Sequence, residues 1–273
     1  MKIIIKDKNG ETRIIWILLL SLIMFFVSIF GMNLIFLNLF PSNKILGYAL
    51  YAISSCIISI FGTQFISRNA FKKERIKFID FNLKQATLKN ISKGFLFGFF
   101  LSVIWILSGF IIGEFNIRYN GFNVEVFVVS FLAYLAVGVA EECTFRGLID
   151  TAFSKFGPLI GIFASAIIFA SLHSEEGLSV FLERVAMGVL FSILMRKTNS
   201  LSFVIGVHIF YNFSLTAIIG LEETGSKTLF STLVNSTSHF WVGSSDDGSP
   251  LLIIIALIIS IILFLNKKKK IIG

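Results

Sequence analysis

Charge is the commodity this chain has least of. Asp, Glu, Lys and Arg make up 15% of its 273 residues, where about a quarter is usual for a soluble domain. With 55% hydrophobic residues and a mean hydropathy of +0.86, the missing charge has been replaced by lipid-facing surface, and a water-soluble fold is excluded. Only two cysteines occur, Cys56 and Cys143, both inside apolar runs. That excludes a disulfide-stapled secreted scaffold, and the pair reads as two buried thiols. Three prolines and long apolar runs exclude collagen-like and disordered chains. Histidine is equally scarce, at three residues, so the setting of each one carries information.

What fills the chain instead is Phe, Ile and Leu, with Phe alone at 32 residues. A helix crosses roughly 30 Å of hydrocarbon with about 20 apolar residues. Eight runs of that kind are bounded by charge or turn residues: 14–40, 45–67, 94–113, 124–143, 158–173, 178–195, 201–219 and 250–266. The expectation is an all-α, polytopic membrane helical bundle of about eight transmembrane helices, one integral membrane domain over 1–273 with its motif-bearing core at 124–219. The first run follows Lys2, Lys6, Lys8 and Arg13 as a signal peptide would. Its apolar stretch is about twice the usual signal length, so it is expected to be retained as a helix.

Basic residues set the expected orientation. With the N-terminus cytoplasmic, the inner segments hold 20 of the 24 Lys and Arg, including eight between Arg68 and Lys93 and the tail Lys267 to Lys270. The outer segments hold Lys44, Arg118 and Lys227, and Arg184 lies within a span. This is the positive-inside pattern, with both termini cytoplasmic and the protein a multi-pass component of the cell membrane. The net charge of +8 is therefore topological, and no nucleic-acid partner is expected. The 68–93 segment reads either as a strip lying on anionic headgroups or as a solvated basic loop. The longest outer loop, about 220–249, carries His239 and Trp241 as surface and interfacial residues without a chemical role.

Ionisable residues inside spans cost about 2.5 to 3.5 kcal/mol each on insertion scales, so they persist where they pair or line a functional cavity. That criterion selects Glu141, Glu142 and Arg146, which follow the apolar run from Val124 to Ala140. Residues four apart share a helical face, so Glu142 and Arg146 can pair while Glu141 faces elsewhere. A plain helix-end role for the two carboxylates stays open on these residues alone. His173 ends the stretch Phe169 to His173, and His208 shares a face with Asn212 in another span. If the Glu-bearing helix reverses at Gly157-Pro158, Glu141 and His173 each stand 16 residues from the turn, and the hairpin brings them to one depth.

These residues carry a resemblance. EECTFRG at 141–147 resembles the Glu-Glu-x-x-x-Arg motif of the CAAX-processing and bacteriocin-processing intramembrane protease family, abbreviated CPBP or Abi. FASLH at 169–173 resembles its Phe-x-x-x-His motif, and HIFYN at 208–212 its His-x-x-x-Asn motif. The resemblance covers about 124–219 and implies hydrolysis of a peptide bond within the membrane. Carried onto this sequence, it makes Glu141 the general base, His173 and His208 partners of the reacting water, and Asn212 the oxyanion donor. Glu142, Arg146 and Phe169 take supporting places. It leaves zinc open, with Glu141, His173 and His208 as the ligand set, beside a metal-free glutamate mechanism; the spacing lacks the His-Glu-x-x-His arrangement.

The expected substrate is a small membrane-associated peptide or protein, such as a bacterial signalling peptide or bacteriocin precursor. A rival reading from another class is a non-catalytic immunity or scaffold protein that binds a peptide or transporter and uses its polar cluster for helix packing. An ion-coupled transporter would require inverted repeats or interrupted helices at matching positions, and the sequence displays neither.

Overall fold

A computed structural model describes residues 12–71, 85–113, 115–173, 177–220, 228–234, 241 and 248–266, and, within these, the side chains of all but Gln85, Ala86, Leu233 and Val234. Eight helices account for nearly all of it: α1 (Ile14–Leu39), α2 (Lys44–Ala70), α3 (Gln85–Ile111), α4 (Val124–Phe156), α5 (Pro158–Ser171), α6 (Leu178–Thr198), α7 (Leu201–Ile218) and α8 (Pro250–Leu265). The multi-pass helical expectation holds, with eight helices among the described residues. Six helices are long and apolar enough to cross a membrane, whereas α5 and α8 have 14 and 16 residues. At 1.5 Å per residue these two reach only about 21 and 24 Å.

Local chemistry sets the helix ends. Asn43, Asn123, Ser200 and Ser249 accept the backbone N–H three residues on at 3.1, 3.2, 3.1 and 3.1 Å, opening α2, α4, α7 and α8. The reversal expected near 157 is present. Gly157 has φ 132°, a conformation that favours glycine, and Pro158 takes the first turn of α5. α6 ends on Asn199 in the left-handed region at φ 50°.

The helices meet where side chains are small. A Cβ on Gly94 would lie 2.1 Å from the Phe203 carbonyl, one on Gly98 2.4 Å from that of Val207, and one on Gly206 2.4 Å from that of Ile91. The backbones of α3 and α7 therefore touch, the close approach that glycines four apart permit in membranes. Gly138 brings α4 against Ile209 of α7 in the same way. Large apolar side chains cover the outside, among them Leu34, Phe65, Ile111 and Leu265.

One element departs from the all-helical expectation. β1 (Phe115–Tyr119) pairs antiparallel with β2 (Phe230–Val234), Phe115 opposite Val234 and Tyr119 opposite Phe230. The segments after α3 and after α7 thus stand together on one side of the bundle. Residues 72–84, His239 and both chain ends lie outside the described residues, so the middle of the 68–93 strip, His239 and the basic tail carry no structural account, while the two ends of that strip belong to α2 and α3.

Candidate active site

The chemistry begins where α4 changes its winding. The helix is α-helical to Glu141 and π-helical over Glu142–Asp150, returning to α and then 3-10 turns before Gly157. Wide π turns inside helices are rare and concentrate at functional sites. Every residue of this turn is buried, including Glu142 and Arg146 at 0% exposure.

Four charged or titratable side chains converge there. Glu142 Oε1 lies 3.2 Å from Arg146 Nη1, one helical turn on, and 2.7 Å from Nδ1 of His208 on α7. The other ring nitrogen, Nε2, faces Glu141 Oε2 at 3.5 Å. One imidazole thus stands between two neighbouring carboxylates, each addressing a different nitrogen. At 2.7 Å from a carboxylate already paired with a guanidinium, Nδ1 carries the proton and donates it to Glu142. That bond fixes the ring plane and aims Nε2 at Glu141. Glu141 and His208 keep only 7% and 4% exposure, so the centre is nearly closed.

Aromatic rings hold the charged groups in place. The Arg146 guanidinium lies 4.7 Å from the centroid of Phe169 and 5.4 Å from that of Phe191. Phe191 also packs on the His208 ring at 5.3 Å, so one ring on α6 touches both the cation and the imidazole. Phe169 meets Phe145 edge-on at 5.2 Å and His173 at 5.0 Å. Cation–π contacts in a desolvated setting are worth about 2 kcal/mol. They matter here because the guanidinium nitrogens have no hydrogen-bond partner among the described residues.

The two remaining expected residues stand at the margin. His173 follows the end of α5, half-buried, with Nδ1 turned to the Phe169 carbonyl at 3.2 Å and its backbone N–H bonded to Ala170 at 2.9 Å. Asn212 is half-buried one turn beyond His208, just before the π turn Ser214–Ile218. No hydrogen bond or ion pair among the described residues joins either to Glu141. The ligand set that the resemblance left open for zinc, Glu141, His173 and His208, is likewise not drawn to one point among the described residues. Among the described residues no group of three or more His, Cys, Asp and Glu could hold a metal. The donor set therefore does not fit a bound ion, and no step is routed through one.

A second polar cluster fixes the hairpin that carries the site. Asp150, fully buried, pairs with Arg196 at the end of α6, whose Nη2 also donates to Ser154 Oγ at 2.8 Å and to the Pro158 carbonyl at 3.2 Å. This ties α4, α5 and α6 together. The polar end of α4 lies at Asp150 and Ser154 rather than at 157, and Gly147 packs on Leu201, which brings Glu142 level with His208. Asp150 is an acid in an apolar stretch, so the rule that selected Glu141 selects it too. Phe191 gives no such signal, being one of 32 phenylalanines.

Residues 123–214 match the family model of type II CAAX prenyl endopeptidase Rce1-like proteins. The match spans all three motifs and bears out the resemblance to the CPBP family over that segment. No curated protein matches the chain.

Proposed function

We propose that this chain is an intramembrane endopeptidase in which Glu141 is the general base, acting on a small membrane-associated peptide or protein. The observation that carries the reading is the His208 imidazole, held through Nδ1 by Glu142 while Nε2 faces Glu141. Such an arrangement suits the sharing of one water between a carboxylate and an oriented imidazole. The 3.5 Å between Nε2 and Oε2 is wider than a strong hydrogen bond.

In the proposed reaction Glu141 takes one proton from water as its oxygen attacks the scissile carbonyl. The carbonyl electrons move onto oxygen, where the Asn212 amide supplies a hydrogen bond to the developing charge. The tetrahedral carbon then expels the amine, which leaves with the proton held by Glu141, so water is divided between the new acid and the new amine. Glu142 and Arg146 touch no reacting atom; they position His208. For His173 the support is its place at one edge of the centre, with Nδ1 donating to the Phe169 carbonyl so that Nε2 is an acceptor for the reacting water.

The test uses the purified full chain in lipid vesicles with prenylated CAAX-type peptides and amphipathic bacterial signalling-peptide precursors as probes. Glu141→Gln keeps the shape and removes the base, and is expected to lower cleavage by about 10² to 10⁴ at unchanged membrane levels. Cleavage undiminished by Glu141→Gln removes Glu141 from the reaction. A wild-type chain that binds these peptides and cleaves none of them supports the scaffold reading instead.

A further inference from the structure

The helices differ in length by side of the molecule. α1 and α2 have 26 and 27 residues and pack together on α4. α5 and α8 have 14 and 16 and flank α6, where Ile162 and Ala166 of α5, Val189 and Ile193 of α6 and Leu263 of α8 form one buried cluster. Their outer faces are bare and apolar, with Phe163 and Ile167 on α5 and Ile254, Ile258 and Ile262 on α8 all exposed.

The ends of α8 are marked chemically as well as by length. At one end Ser249 caps the helix and the carbonyl of Trp241, an exposed aromatic of the kind found at membrane surfaces, accepts from Leu251 N at 3.0 Å. At the other, Lys197 donates to the Asn266 carbonyl. The apolar wall between these polar ends is about 24 Å high, and that of α5 about 21 Å, against roughly 30 Å for ordinary hydrocarbon. Tilting lets a long helix fit a thin membrane, but only shortens the reach of a short one. α1 and α2 can adapt to either thickness, whereas α5 and α8 cannot reach across the thicker one. α6, at 21 residues, is mostly buried and presents little surface to lipid.

We propose that the α5–α6–α8 side of this protein is a lipid interface fitted to a bilayer locally thinned to about 24 Å, while the α1–α2 side meets membrane of ordinary thickness. The occupant of the face is lipid, since its exposed side chains are aliphatic and aromatic apart from Ser171, whose Oγ donates to the Ile167 carbonyl at 2.8 Å, and the partly exposed Arg184 of α6, which is ion-paired with Glu183. On the protease reading, which this consequence alone rests on, thinning lowers the headgroup plane toward His173, two residues past the end of α5, and water reaches the centre from that side.

Nitroxide labels test this on the full chain carrying Cys56→Ala, with fully buried Cys143 left in place. Leu159→Cys and Leu172→Cys label the two ends of α5, and Trp241→Cys and Asn266→Cys those of α8, all exposed positions; Leu46→Cys and Phe65→Cys on α2 serve as the reference. In dioleoyl phosphatidylcholine vesicles, depth is read as the ratio of collision with oxygen to collision with a water-soluble nickel complex. All four α5 and α8 labels are expected at headgroup depth, unchanged on moving to lipids with 14-carbon chains, while the α2 labels shift. A Leu172 or Trp241 label in the oxygen-rich interior, with its opposite end at the headgroups, overturns the proposal by showing a full-thickness bilayer. Labels immobile and shielded from both reagents overturn it equally, because a protein partner then covers the face.

Discussion

Arg146 carries a full charge at 0% exposure, and its ionic partner Glu142 stands 3.2 Å away, also fully buried. Removing one member of such a pair strands the other charge in a medium that cannot solvate it, at a cost of about 3 to 5 kcal/mol. Arg146→Met is therefore expected to lower thermal stability in detergent sharply. Arg146→Met combined with Glu142→Gln is expected to recover much of that loss, because the stranded charge is gone. Unfolding midpoints of the two variants check this, and a double variant as unstable as the single one would show that the charges do not compensate each other. Glu141, His173, His208 and Asn212 were all legible in the sequence as polar residues where lipid was expected. Which carboxylate holds the imidazole was not. Regular 100° spacing sends Glu141 and Glu142 apart, and only the π winding after Glu141 together with the partner helix decides that each addresses one nitrogen of His208.

At the scale of elements, the hairpin between α4 and α5 was readable because glycine and proline have local reasons to sit at a reversal. So were the bounds of α5, whose run 158–173 exceeds the helix Pro158–Ser171 by two residues. The contact between α3 and α7 was not, because it depends on glycines distant in sequence. That contact makes a sharp prediction. Gly98→Leu places a side chain where even a Cβ would meet the Val207 carbonyl at 2.4 Å. Overpacking costs about 1 to 3 kcal/mol in adaptable cores, and more is expected here because backbone rather than a side-chain tip is the obstacle. Gly31→Ala, whose Cβ would find its nearest neighbour at 4.0 Å, is the matched control. Folded yield by size-exclusion in detergent should fall for Gly98→Leu and hold for Gly31→Ala; equal yields would contradict the close approach.

For the whole molecule, a multi-pass helical bundle followed from scarcity of charge alone, because no soluble core can absorb so much apolar surface. The antiparallel sheet escaped sequence reading: strands of five residues paired across more than a hundred positions leave no local mark. Its existence sharpens the orientation proposal, since 115–119 and 230–234 must lie on one side and both belong to the segments poor in Lys and Arg. We expect a reporter fused after Gly273 to read cytoplasmic and a cysteine at Arg118 to label from outside intact cells. Labelling of Arg118→Cys only after the membrane is opened would reverse the assignment.

α4 and α7 meet so that His208 is held by Glu142 while its second nitrogen faces Glu141. Histidine-selective nitrogen-15 resonance spectroscopy on the full chain measures this directly, with only three histidines to resolve. One of them is expected to show a protonated, strongly hydrogen-bonded Nδ1 that vanishes in His208→Asn and loses its hydrogen-bond shift in Glu142→Gln. A His208 signal averaged between tautomers like that of free imidazole, and indifferent to Glu142→Gln, would contradict the account.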